Sequence, residues 1–238
     1  MSVNAGANRL LDALQVDGSR RLRRSLTPVC LDSGAILFER GEPIAFVDFP
    51  RNCVISLVTA FEEGTSVEVA SIGSEGIVGV PIRLGGSLAF RAISSVGGWT
   101  DRMDASTFLN EVDADARLQE LVNDYVRTLF GQIAQAAACN RLHSNEERLS
   151  RWLLMTHDRV GTDEFAVTHE ILGEILGSRR ATVTLSAERL RALGLIRYAR
   201  GRVAIVDRVG LEAAACECYR AITTESNGVI RRALRKGT

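Results

Sequence analysis

The chain has 238 residues, 46% hydrophobic and 24% charged, with a formal net charge of zero. That length holds one large domain or two modest ones, and that hydrophobic content excludes a disordered chain. No stretch approaches the roughly 18 apolar residues of a membrane span, and the opening MSVNAGANRLLDAL lacks the basic-then-apolar order of a signal peptide. A cytoplasmic protein with no membrane partner is therefore expected. The five cysteines, Cys30, Cys53, Cys139, Cys216 and Cys218, are odd in number, which argues for reduced thiols in such a compartment. Charge is unevenly spread: residues 142–238 carry 16 basic and 12 acidic side chains, and all the basic ones except Lys236 are arginines. Arginine suits bidentate phosphate and guanine contacts, although biased codon usage would give the same excess.

Residues 1–26 read as a short amphipathic helix with Leu10, Leu11, Leu14 and Leu22 on its apolar side. From Leu31 the period changes to two. Residues 35–38, 45–49, 54–58 and 67–70 read as strands, and 77–82, 90–96 and 99–103 continue the series. Turn signals separate them, among them Gly41-Glu42-Pro43 and Gly73-Ser74-Glu75-Gly76. Short strands at this spacing predict an antiparallel sandwich or barrel.

A long helix is expected over about 113–140. Leu118, Leu121, Val122, Tyr125, Leu129, Ile133, Ala136 and Ala137 form one apolar face. Leu118, Val122, Tyr125, Leu129, Ile133 and Ala136 are read as a dimer seam. The alternative is a helix packed within its own chain. Residues 146–155 are a further helix docked through Leu149, Trp152 and Leu153.

Residues 168–191 read as two short helices joined by a tight turn. Thr168 is an N-cap. Ile171, Leu172, Ile175 and Leu176 recur at helical spacing, and Gly177 stops the first helix. Ser178 is read as a second N-cap. Val183, Ala187 and Leu190 form the apolar stripe of the second helix. Gly173 costs roughly 1 kcal/mol against alanine inside a helix, and a small residue there lets the second helix approach closely. This is a helix-turn-helix pattern, whose second helix enters the major groove. Two packed helices of any helical protein are the alternative. Residues 196–206 then read as a hairpin turning at Arg200-Gly201. Behind a helix-turn-helix such a hairpin is a wing, with Arg197, Arg200 and Arg202 placed for phosphates. Residues 211–222 read as a helix, and residues 228–238 as a basic end with Arg231, Arg232, Arg235 and Lys236.

Other chemistry finds little support. Cys216-Glu217-Cys218 puts two thiols on different faces of a helix, with no second cysteine or histidine pair near in sequence, so no metal site is expected. His143, His157 and His169 fit no zinc pair or triad and read as surface or capping residues. There is no Gly-Lys-Ser/Thr phosphate loop. No nucleophile, base and orienting group can be named, so no enzyme is expected.

The order of parts resembles the Crp/Fnr family of bacterial transcription regulators. The likeness runs from about Leu31 to Val206. It is carried by residues 168–177 (THEILGEILG), by Arg180-Ala181-Thr182-Val183 and by Gly41-Glu42-Pro43. It implies an α+β fold with a helix and β-roll sensor domain over 1–112, a dimerisation helix over 113–141, a winged helix-turn-helix over 142–222 and a basic tail over 223–238. It implies a homodimer on double-stranded DNA, with a contact to RNA polymerase. The recognition helix spans about 178–191. Thr168, Ser178, Arg179, Arg180, Thr182, Thr184, Arg197, Arg200 and Arg202 would meet DNA. The family's base readers, Arg, Glu and Arg, match Arg180, Ala181 and Leu185, of which only the first keeps its chemistry.

The sensor departs from the family's cyclic AMP binders. Gly79-Val80-Pro81 stands where they carry a ribose-binding glutamate. Phe90 falls at the place of their phosphate-binding arginine, with Arg91 one residue on. Ile133 and Ala134 replace two hydroxyl residues facing the base. Cys30 and Cys53 cannot supply the four thiolates of an iron–sulfur cluster, and no histidine precedes His143 to hold haem. No cofactor is predicted, cyclic AMP is not expected as effector, and the effector is left open. A small-molecule-binding β-roll module, with the helix-turn-helix used for protein contacts, is the competing reading.

Overall fold

The computed structural model describes residues 6–14, 17–62, 64–85 and 88–236. Residues 1–5 and 15–16, part of the expected first helix, lie outside the described residues. What is described there is two helices, α1 (Arg9–Ala13) and α2 (Asp17–Arg24). Asn8 caps α1 by accepting from the amides of Leu10 and Leu11. Its own amide donates to the Pro50 and Gly76 carbonyls, at 3.0 and 2.9 Å, and so ties the N-terminal segment to the sheets.

The sheets form an antiparallel roll. One has the order β1 (Thr27–Leu31), β7 (Gly98–Asp104), β3 (Phe46–Pro50). The other runs β2 (Ile36–Phe38), β6 (Arg91–Val96), β4 (Val54–Ala60), β5 (Ser66–Ile72). Val47, Phe49, Ile55, Leu57, Ile72, Ala92 and Met103 are buried in one core. Residues 77–82, expected as a strand, are not one. Val78 makes a single bridge to Asp48, Gly79 turns left-handed at φ 87°, and a 3-10 turn follows over Val80–Leu84. Pro81 has no amide to donate, so a ladder cannot continue through it.

Two helices replace the start of the expected long one. α3 (Ala105–Ala114) ends at Asp115, whose extended backbone breaks the helix and whose carboxylate caps α4 (Ala116–Leu142). After His143 a capping box, Ser144 with Glu147, opens α5 (Asn145–Val160). A third sheet has the order β8 (Glu164–Ala166), β10 (Arg202–Ile205), β9 (Ile196–Ala199). It flanks α6 (His169–Leu176) and α7 (Arg180–Ala192). The chain closes with α8 (Arg208–Ala214) and α9 (Cys218–Lys236). The stretch expected as a basic tail from 223 is thus, up to 236, most of a helix. Ile222, Val229 and Ile230 are buried on it, and it lies along α4 and α1.

The apolar face expected as a dimer seam faces inward. Leu118, Val122, Tyr125, Leu129 and Ala136 are all buried within their own chain, and only Ile133 of that set is partly exposed. The sequence reading is corrected here: the most apolar stripe of a long helix first covers its own domain's core. The opposite stripe is open, and Phe130 on it is 73% exposed. Among the described residues no helix is long and apolar enough to cross a membrane.

Candidate nucleic-acid interface

The turn between α6 and α7 is built by local chemistry. The Thr168 hydroxyl accepts from the Ile171 amide at 3.3 Å. Gly177 takes the left-handed conformation at φ 58°, and the Ser178 amide donates back to the Gly173 carbonyl at 3.0 Å, sealing the end of α6. A Cβ on Gly173 would sit 3.1 Å from the Ser178 carbonyl oxygen, so the close approach there is by the turn. Ser178 is not the cap of α7. Its hydroxyl donates to Asn145 Oδ1 at 2.5 Å and points toward α5, because its backbone is already used to finish α6. Arg179 occupies the cap position, and its carbonyl accepts from the Thr182 and Val183 amides.

Val183, Ala187 and Leu190 bury α7 against the domain core, together with Trp152, Leu172 and Ile175. The first turn therefore faces outward. Arg179, Arg180 and Ala181 are exposed there, and Leu185 follows one turn on. Arg180 pairs with Glu170 at 2.6 Å, both side chains being more than half exposed. Such a pair is worth little in water, so a phosphate or guanine can displace it. Thr182 is partly exposed. The Thr184 hydroxyl is engaged internally, with His169 Nδ1 at 3.0 Å and the Arg180 carbonyl at 3.0 Å. His169 stacks on Tyr198 at 4.4 Å. Burial, then the Arg180 charge, pushes its pKa down.

The hairpin turns where expected, with Arg200 at φ 52° and Gly201 at φ 71°. Two left-handed residues match the twist of a two-residue hairpin. The third strand, β8, escaped the sequence reading because three residues give no period. It brings Glu164 beneath the wing, 2.5 Å from Arg202 and 3.8 Å from Arg197. The Arg202 hydrogen bond, then its charge, holds the Glu164 carboxyl below its ordinary range. Arg200 is exposed at the tip.

In the antiparallel roll, Val80 is fully buried and offers no carboxylate. Arg91 pairs with Glu174 of α6 at 2.7 Å. Cys216 and Cys218 have no second cysteine or histidine pair near in sequence, but the fold brings one near in space. α4 packs along α9, which carries Cys139 and His143 to within 4.8 Å of both thiols. Sequence distance hid this, since Cys139 and Cys216 are 77 residues apart.

Residues 147–214 match the model of the Crp-like helix-turn-helix domain. No curated protein matches the chain. Solved structures do. A putative transcriptional regulator of the Crp/Fnr family from Eubacterium rectale is 17% identical with a TM-score of 0.63, covering 86% of this chain and 96% of that one. FixK2 from Bradyrhizobium japonicum is 14% identical with a TM-score of 0.68, covering 80% and 98%. TTHB099, a CRP-family transcriptional regulator from Thermus thermophilus, is 18% identical with a TM-score of 0.65, covering 79% and 96%.

Proposed function

We propose that this chain, a Crp/Fnr-type regulator fold whose residues 147–214 belong to the Crp-like helix-turn-helix domain family, is a homodimeric, sequence-specific DNA-binding transcription regulator. The observation that carries the reading is the outward first turn of α7, where Arg179 and Arg180 stand exposed beside a wing tipped by Arg200. Base contacts come from Arg180, and phosphate contacts from Arg179, Arg197, Arg200 and Arg202, with the partly exposed Thr182 and the exposed Thr168 at the edge. Ser178 and Thr184 spend their hydroxyls inside the protein and act through positioning.

Two half-sites about 34 Å apart need two linked copies. The open stripe of α4 supplies the seam: Phe130, Ala134 and Ala137 are exposed on it, with Val126 and Ile133 partly exposed at its margin. Cyclic AMP is not the effector, because Val80 gives no ribose contact and Arg91 is held by Glu174. Selection of bound sequences from a random DNA pool tests the reading. A twofold-related motif is expected, with affinity falling steeply as salt rises. Recovery of no motif, with retention insensitive to salt, would sink it.

A further inference from the structure

Where α4 ends and α8 gives way to α9, four metal-binding side chains converge. Cys139 lies in the last turn of α4 and His143 follows it by four residues, so both project from one side of the helix end. Cys216 and Cys218 flank the break before α9. The Cys139 and Cys216 sulfurs are 3.6 Å apart. The Cys218 sulfur is 3.7 Å from His143 Nδ1. All four donor atoms lie within 4.8 Å of one another. We propose that Cys139, His143, Cys216 and Cys218 form a Cys3His site that holds one tetrahedral zinc ion and clamps α9 to the hinge between the long helix and the helix-turn-helix domain.

The cage has the size of one metal ion. Zinc–sulfur bonds of about 2.3 Å and zinc–nitrogen bonds of about 2.0 Å, set tetrahedrally, put sulfurs about 3.8 Å apart and sulfur about 3.6 Å from nitrogen. The Cys139–Cys216 separation of 3.6 Å and the Cys218–His143 separation of 3.7 Å fall there, and the others stay within 4.8 Å. A two-iron cluster divides its ligands between two metals and needs a wider cage than this. Three thiolates with one imidazole make a soft, closed set, the type that structural zinc takes.

The surroundings fit as well. His143 turns Nδ1 toward the thiols, while its Nε2 lies 3.1 Å from a Glu217 carboxylate oxygen. A metal-bound histidine ordinarily donates its other ring N–H to such a carboxylate, which fixes tautomer and orientation. Gln135 donates to the Cys218 sulfur at 3.0 Å. The three sulfurs are almost completely buried, so zinc with three thiolates would leave one negative charge in the interior. Arg148 and Arg151, on the helix α5 that starts just after His143, are both buried cations. The Nε of each has no hydrogen-bond partner among the described residues. On binding, each thiol releases its proton to solvent and becomes a thiolate ligand.

The site joins parts that the backbone alone leaves loose. Cys139 and His143 bracket the end of α4, immediately before α5, and Cys216 and Cys218 bracket the start of α9. Metal loss therefore loosens the start of α9 at the end of α4, while the rest of α9 stays packed along α4 and α1.

The test is metal analysis of the full chain purified without chelator. The expected result is about one zinc per chain that survives dialysis. Chelation should lower the unfolding midpoint by roughly 5–15 °C. Refilling with cobalt should give the intense visible bands of a tetrahedral thiolate site. Cys216→Ser and His143→Ala should cut zinc content to a small fraction, and Glu217→Gln should weaken zinc binding by roughly 10–100-fold while keeping the stoichiometry. Those variants could fail to fold, but the cobalt spectrum of the unmodified chain does not depend on them. Zinc below about one-tenth per chain after a zinc challenge, with only weak octahedral cobalt bands, overturns the proposal. So does an iron–sulfide chromophore, a Cys139–Cys216 disulfide as the resting state, or unchanged zinc in folded Cys216→Ser and His143→Ala.

Discussion

Arg180 stands at the first turn of α7 with its charge only lightly held. Its partner Glu170 is itself 57% exposed, and water screens a pair of that kind until it contributes little. A bidentate contact to guanine O6 and N7 is worth about 1–3 kcal/mol of discrimination. The DNA contact wins, so Arg180→Ala should flatten preference at one guanine per half-site and leave the rest of the motif intact. Binding-site selection on the variant reads this directly, and an unchanged motif would show that Arg180 serves only its ion pair. Arg202 differs, because Glu164 holds it at 2.5 Å beneath the wing. Arg202→Ala should weaken all sequences alike and reduce the salt slope by about one. If instead it alters the motif, Arg202 reads bases. The turns themselves were legible in sequence because they are local: Thr168, Gly177 and Arg200-Gly201 each announce their backbone within a few residues. Ser178 was misread for the same reason. Its two possible uses, cap of α7 or closure of α6, look identical until Asn145 of another helix takes its hydroxyl.

At the scale of the element, α4 shows how a correct periodicity can be assigned to the wrong neighbour. A helix repeating at 3.6 residues has two long stripes. The richer one, from Leu118 to Ala136, is consumed by the roll and α9. The poorer one carries Phe130 at 73% exposure. Sequence shows that an apolar stripe is buried but not against what, and α9, whose burial of Val229 and Ile230 occupies part of that answer, was itself obscured by its basic residues. The two faces make opposite predictions. Phe130→Glu should give folded monomers that lose operator binding, seen by light scattering and gel shift. Leu129→Glu buries a charge beside the core and should destabilise the chain itself, by several kcal/mol. A dimeric, fully binding Phe130→Glu protein would remove this seam. The cysteine cluster was hidden likewise: each half is visible in sequence, but the α4–α9 packing that unites them is not.

At the scale of the molecule, the roll and the helix-turn-helix region are joined through polar contacts as well as apolar ones. Glu68 of β5 accepts from Ser56 at 2.5 Å and from the Trp152 indole of α5 at 3.3 Å. Arg91 of β6 reaches Glu174. Because Arg91 is so engaged, titration with cyclic AMP should show no dissociation constant below about 10 μM, and calorimetry finding tighter binding would restore Arg91 as a phosphate ligand. The strongest link is Arg159 of α5. It sits 2.7 Å from Glu75 and donates to the Ser71 hydroxyl and carbonyl, each at 2.8 Å. Both charged side chains are nearly closed to water, at 6% and 11% exposure. The pair as a whole adds little net stability, since desolvation opposes its attraction, but removing one member strands the other charge at a cost of about 3–5 kcal/mol. Arg159→Ala should therefore lower the unfolding midpoint by about 10 °C or more and split one calorimetric transition into two, as the roll and the helix-turn-helix region lose their shared polar contact. Replacing both partners, Arg159→Met with Glu75→Gln, should recover much of the loss, because no unpaired charge remains. A double variant as unstable as Arg159→Ala alone would mean that Arg159 acts through Ser71 and packing, and not through Glu75.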